Sequence, residues 1–128
     1  MRGMPAQTLT LRNGAATAVV SCDGGRLASL RVGDLELLVT EGDKPSRFGS
    51  FPMAPWCGRL ASGRLAFEGE EYAFPLTSPP HANHGRAYLQ PWRVVDDETL
   101  RTELVEPWPF GGHVVQRFAL AEDALTVT

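Results

Sequence analysis

Ten prolines and thirteen glycines are scattered over the whole 128-residue chain, which leaves little room for a long helix. Where apolar residues recur, they recur at every second position, the spacing of a half-buried strand. Ala28, Leu30 and Val32 alternate with Ser29 and Arg31, a Gly33-Asp34 turn follows, and Leu35, Leu37 and Val39 then share one face. Leu65 and Phe67 lead through Glu68-Gly69-Glu70 into Tyr72 and Phe74, the pattern of a hairpin. Leu100, Thr102 and Leu104 alternate with Arg101 and Glu103, and Val114, Gln116, Phe118 and Leu120 lie opposite Val115 and Arg117. Many short strands separated by turns predict an all-β chain, an antiparallel sandwich or barrel. The length fits a single domain over residues 1–128.

Two segments break the rhythm. Residues 41–63 and 75–91 are rich in Gly, Pro, Ser and His and read as ordered loops of the kind that carry function. The chain stops at Ala124-Leu125-Thr126-Val127-Thr128, within a strand-like run, so a truncated sheet with an open edge is expected. Such an edge offers unpaired backbone donors and acceptors and favours self-association.

Composition excludes some partners. The net charge of −3 gives no basic footprint for nucleic acid, and no apolar run has the length of a membrane span. The amino-terminal residues have no hydrophobic core of the signal-peptide kind, and Cys22 and Cys57 lack metal-ligand spacing. A cytoplasmic chain with two reduced thiols is the expectation.

The densest group of unusual residues is Phe51-Pro52-Met53-Ala54-Pro55-Trp56-Cys57-Gly58-Arg59, where two prolines are expected to hold the backbone extended. An aromatic face can pack on the apolar face of a sugar while Arg donates to its hydroxyls. Ordinary packing, with Trp56 in the core and Arg59 on the surface or in an ion pair, is the commoner fate of such residues. A second group, Pro79-Pro80-His81-Ala82-Asn83-His84-Gly85, is followed by Pro91-Trp92. Histidine can donate, accept or carry a proton near neutral pH, although most loop histidines are satisfied by water or carbonyls. His81, His84 and His113 are weak candidates for a metal site, because HxxH alone lacks the tighter pattern of zinc motifs. The carboxylates Glu68, Glu70, Glu71, Asp96, Asp97, Glu122 and Asp123 fall in turns or on exposed strand faces, and none is nominated as a catalytic base.

Taken in order, these landmarks resemble the amino-terminal part of the aldose 1-epimerase family. They are Gly24-Gly25-Arg26-Leu27-Ala28-Ser29-Leu30, Gly49-Ser50-Phe51-Pro52-Met53-Ala54-Pro55-Trp56, Gly58-Arg59-Leu60, Pro80-His81-Ala82-Asn83-His84-Gly85 and Pro91-Trp92. The resemblance implies a galactose mutarotase-like antiparallel β-sandwich, incomplete here, with a sugar cleft across one sheet and no metal or organic cofactor. It implies that Arg59 and His84 contact the sugar, with Trp56 and Trp92 as candidate cleft neighbours. In the family a histidine protonates the ring oxygen and a glutamate takes the anomeric proton. The family's His-Pro-Tyr acid motif and later glutamate do not occur in these residues, so no catalytic residue is assigned and the chain alone is expected to be inactive. The alternatives are a non-catalytic carbohydrate-binding module and a small metal-binding β-barrel.

Overall fold

The computed structural model describes residues 5–128, so the reading of the extreme amino terminus lies in part outside the described residues. Four strands, β1 (Thr8–Asn13), β2 (Ala16–Ser21), β3 (Arg26–Val32) and β4 (Leu35–Glu36), form one antiparallel meander in sequence order. After the loops come β5 (Arg59–Leu60), the β6 (Arg64–Phe67) and β7 (Glu70–Ala73) hairpin, and β8 (Ala82–Asn83). The last four, β9 (Arg93–Asp96), β10 (Thr99–Glu103), β11 (His113–Leu120) and β12 (Leu125–Val127), form a second antiparallel sheet in the order β12-β11-β10-β9.

Both four-stranded sheets give their inner faces to one core. Leu9, Ala18, Val20 and Leu27 from the first pack with Leu100 and Phe118 from the second, and Cys22, Ala87 and Trp92 complete the cluster. Two side-chain hydrogen bonds tie the sheets together, from Gln116 Nε2 to the Gly25 carbonyl at 2.8 Å and from Asn13 Nδ2 to the Leu120 carbonyl at 3.0 Å. The alternation in the sequence therefore has its expected physical cause. Leu100 and Thr102 point inward on β10, and Phe118 does so on β11, while Arg117 and Val115 face out. No helix among the described residues is long and apolar enough to cross a membrane.

The hairpin forms as predicted, with Phe67 opposite Glu70 and the two-residue Glu68-Gly69 turn at φ of 49° and 81°. The terminal strand also forms and pairs with β11, leaving its other side as a sheet edge. The strand expected through Val39 is cut short. Leu35–Glu36 pairs with β3, one further backbone bond runs from the Leu37 amide to the Leu30 carbonyl at 2.9 Å, and Leu35, Leu37 and Val39 are all exposed. Glu36 is the reason: its carboxylate accepts from Ser29 Oγ and from the Leu30 and Leu38 amides, so a side chain occupies part of the ladder. These bonds, led by that from Ser29, hold the Glu36 carboxyl below its usual range.

Candidate sugar-binding site

The two loops singled out in the sequence are joined in the structure. Strand β5 belongs to the first and β8 to the second, and they pair antiparallel with Arg59 opposite Asn83 and Leu60 opposite Ala82. A second junction lies nearby, where Ala54 and Gly85 form a parallel bridge. The Ala54 carbonyl also accepts from the Arg86 amide at 2.7 Å and the Ala87 amide at 2.9 Å. The prolines do not keep this segment extended throughout, since the chain bends at Pro55.

Two histidines close the β5–β8 pair at its ends. His84 Nδ1 accepts from the Gly58 amide at 3.3 Å, and the His84 amide donates to the Gly58 carbonyl at 2.8 Å. His81 Nδ1 accepts from the Ser62 amide at 3.1 Å. The HxxH spacing thus has a structural use: residues 81 and 84 flank β8 and clasp the residues that flank β5. His113 lies on β11 opposite Glu103, and no group of three potential metal-ligating His, Cys, Asp or Glu side chains occurs among the described residues. The metal-binding alternative loses its motif on this geometry. Replacing His81 by Ala is expected to cost about 1 kcal/mol, the worth of one such hydrogen bond, and to speed hydrogen exchange at the Ser62 amide. Unchanged exchange at Ser62 would show that the clasp bears no strain.

The clasp also fixes chemistry. Because Nδ1 of His84 is an acceptor, its ring proton resides on Nε2, which is left as a hydrogen-bond donor. The ring is half-buried, 5.8 Å from Phe51, at a backbone φ of +64°. Across the bridge, the Arg59 side chain is exposed and makes no ion pair among the described residues. Arg59 and His84 are therefore brought within one residue of each other across the β5–β8 register, both offering donors.

The two tryptophans part company. Trp92 is only 5% exposed, and its Nε1 donates to the Ala87 carbonyl at 2.8 Å. It is a core residue tied to the loop that follows β8. Trp56 is half-buried and packs edge-on to Phe74 at 5.0 Å, with Trp108 at 6.4 Å.

Sequence reasoning missed three residues at the site. Asn83 pairs with Arg59, and its Oδ1 is buried without a hydrogen-bond partner, as is Trp56 Nε1. Buried polar atoms of this kind are ordinarily satisfied. Arg26 is buried with its guanidinium 4.2 Å above the Phe48 ring and 5.4 Å above that of Phe51. It donates to the Phe48 carbonyl at 2.6 Å, and burial lowers its pKa, with Asp23 and Tyr88 opposing. Trp108 sits in a Pro-Trp-Pro-Phe run, a composition like that of residues 51–59 and the one signal that pointed to it.

Two antiparallel sheets closed over one core, with a pair of clasped loops, define a β-sandwich of the galactose mutarotase-like class. The aldose 1-epimerase family model matches residues 7–128, and the chain belongs to that family. A putative aldose 1-epimerase from Escherichia coli is similar, with 26% identity, a TM-score of 0.72, and coverage of 94% of this chain and 44% of that one. A galactose mutarotase-like protein from Lactobacillus casei shares the fold at 21% identity and a TM-score of 0.76, covering 94% of this chain and 42% of that one. A Synechocystis protein shares it at 21% identity and a TM-score of 0.77, covering 98% and 47%. The chain thus spans less than half the length of these solved structures. No curated protein matches the sequence significantly.

Proposed function

We propose that residues 51–60 and 80–85 form part of the sugar-binding surface of an aldose 1-epimerase-like protein acting at the anomeric carbon of a hexose or related sugar. The observation that carries this reading is the β5–β8 pairing, which sets Arg59 opposite Asn83, the neighbour of His84, within a chain of that family. An aldose presents hydroxyl and ring oxygens that accept hydrogen bonds. The Arg59 guanidinium and His84 Nε2 are donors carried on two segments joined by a short bridge, and the His84 ring is held by the Gly58 amide. A donor held in this way orients a sugar at a lower entropic cost than a mobile side chain. Trp56 supplies an aromatic neighbour of the type that packs on a sugar's apolar face.

These residues account for binding and not for proton transfer. Anomer exchange needs one group to protonate the ring oxygen and another to take the anomeric proton. His84 Nδ1 is committed to the Gly58 amide, and no carboxylate among the described residues hydrogen-bonds His84. The 128 residues are proposed as a binding portion whose proton-transfer pair is not among them. The same observation favours a carbohydrate-binding module as the second reading.

Calorimetry with millimolar D-glucose and D-galactose, paired with polarimetry of their fresh α-anomers, tests both parts. Sugar binding that weakens about tenfold in Arg59→Ala and in His84→Ala is expected, which corresponds to one charge-assisted or neutral hydrogen bond each. Anomer exchange at the spontaneous rate is expected alongside it. Binding that is absent, or indifferent to both substitutions, overturns the site. Exchange above the spontaneous rate that falls in His84→Ala overturns the statement that these residues only bind.

A further inference from the structure

Arg26 is a cation in an unusual place. It is 5% exposed, makes no ion pair among the described residues, and donates to the Phe48 carbonyl at 2.6 Å. Arginines buried this deeply are ordinarily paired with a carboxylate. Here two aromatic rings take that part, with the guanidinium carbon 4.2 Å from the Phe48 centroid and 5.4 Å from that of Phe51. A desolvated cation is drawn to ring faces more strongly than one in water. The backbone frames this grip from two sides. Leu27 and Ser50 exchange amide-to-carbonyl bonds at 2.8 and 2.9 Å, and the Gly24 amide donates to the Gln90 carbonyl at 3.0 Å. The start of β3 is thus stitched both to the loop before β5 and to the segment after β8, with Arg26 between the two stitches. Every one of these contacts is internal, so none depends on an outer face being free.

We propose that Arg26 is a positioning residue of the sugar site: its buried charge holds the Phe51 ring, and Phe51 in turn sets the plane of the His84 imidazole and so the direction of its Nε2 donor. The proposal rests on the sugar-site reading above. Phe51 is the link, because its ring centroid lies 5.8 Å from that of His84. Tyr88, itself buried, backs the same Phe51 ring at 5.1 Å. His84 needs such a brace. Its bond from the Gly58 amide, at 3.3 Å, is longer than the usual range for a hydrogen bond. One bond of that length leaves the ring free to turn about it, and a neighbour packed on a second side confines the turn. The charge at position 26 matters beyond its volume. An apolar side chain there would still touch Phe51, but without the attraction between cation and ring face that fixes it.

The test is an NMR titration of the 128-residue protein and its variants with D-glucose and D-galactose, arranged as a double-mutant cycle. Arg26→Met keeps a long side chain and removes the charge. It is expected to weaken sugar binding by about three- to tenfold, no more than His84→Ala does, because it acts only through that ring. The double variant Arg26→Met/His84→Ala is expected to bind within about twofold of His84→Ala alone, whereas Arg26→Met combined with Arg59→Ala should lose both factors. A purely structural role for Arg26 would move both combinations alike. Phe51→Leu, which removes the ring and keeps Arg26, is expected to reproduce the His84-dependent loss, and it decides the matter if Arg26→Met does not fold. Losses that multiply in combination with His84→Ala, or no loss in the single variants, overturn the positioning role alone and leave the Arg59–His84 site standing. No binding of either sugar by the unmutated protein overturns both.

Discussion

Gly85→Ala is expected to destabilise the protein by at least about 3 kcal/mol, a severe effect for one added methyl group. Two costs combine at this position. Gly85 has a φ of +72°, in the left-handed region that costs other residues roughly 1–2 kcal/mol. A Cβ there would lie 2.1 Å from the Ala54 carbonyl oxygen and 2.3 Å from its carbon, both backbone atoms that cannot rotate aside. Those atoms make the Ala54–Gly85 bridge and take the Arg86 and Ala87 amides, so relief requires pulling the two loops apart. His84, one residue away, would move with them, and sugar affinity should fall together with stability. Gly58→Ala is the control. Its φ of +76° is nearly the same, but nothing lies within 4 Å of the added Cβ, so only the conformational cost of roughly 1–2 kcal/mol remains. Urea unfolding of both variants decides the matter. Equal losses would mean that backbone conformation alone sets the cost and that the close approach at Ala54 yields easily.

Phe118→Ala is expected to cost about 3–5 kcal/mol, the range for removing a buried aromatic. Phe118 is 1% exposed on β11 and packs among Leu9, Ala18, Val20, Leu27 and Leu100, so it bridges the inner faces of both four-stranded sheets. Leu125 of β12 also packs against this cluster. The cavity would be lined from both sheets, and neither can collapse into it without disturbing the Gln116–Gly25 and Asn13–Leu120 bonds. Val115, three residues away on the same strand but 44% exposed, provides the contrast: Val115→Ala should change stability by less than about 1 kcal/mol. A midpoint shift in urea for Phe118→Ala no larger than that for Val115→Ala would show that the two sheets are not held by a shared core at this point.

Much of the fold was legible because a strand writes its burial into consecutive residues. The alternation around Leu100, Thr102, Phe118 and Leu120 needed only the two-residue period and an apolar face, and the Glu68-Gly69 turn needed only a residue pair that tolerates positive φ. The strand through Val39 failed for a reason outside that period: one carboxylate, Glu36, hydrogen-bonds across to Ser29 and Leu30 and ends the ladder. The candidate site was legible as two suspicious loops and as a family resemblance, but not as an object.

What the sequence by itself determined was the all-β architecture and the family to which the chain belongs. The tertiary structure alone decided that residues 59 and 83 face each other, that His81 and His84 clasp a neighbouring loop, and that Trp92 is interior while Trp56 meets Trp108. Both tryptophans follow a proline, so local chemistry does not separate them. Their fates differ because each loop's position is set by how the two sheets close over Phe118, Leu100 and Val20, and that packing joins residues far apart in the chain. Periodicity reports on neighbours along the strand, whereas the site is made by contacts between segments whose separation no local pattern encodes.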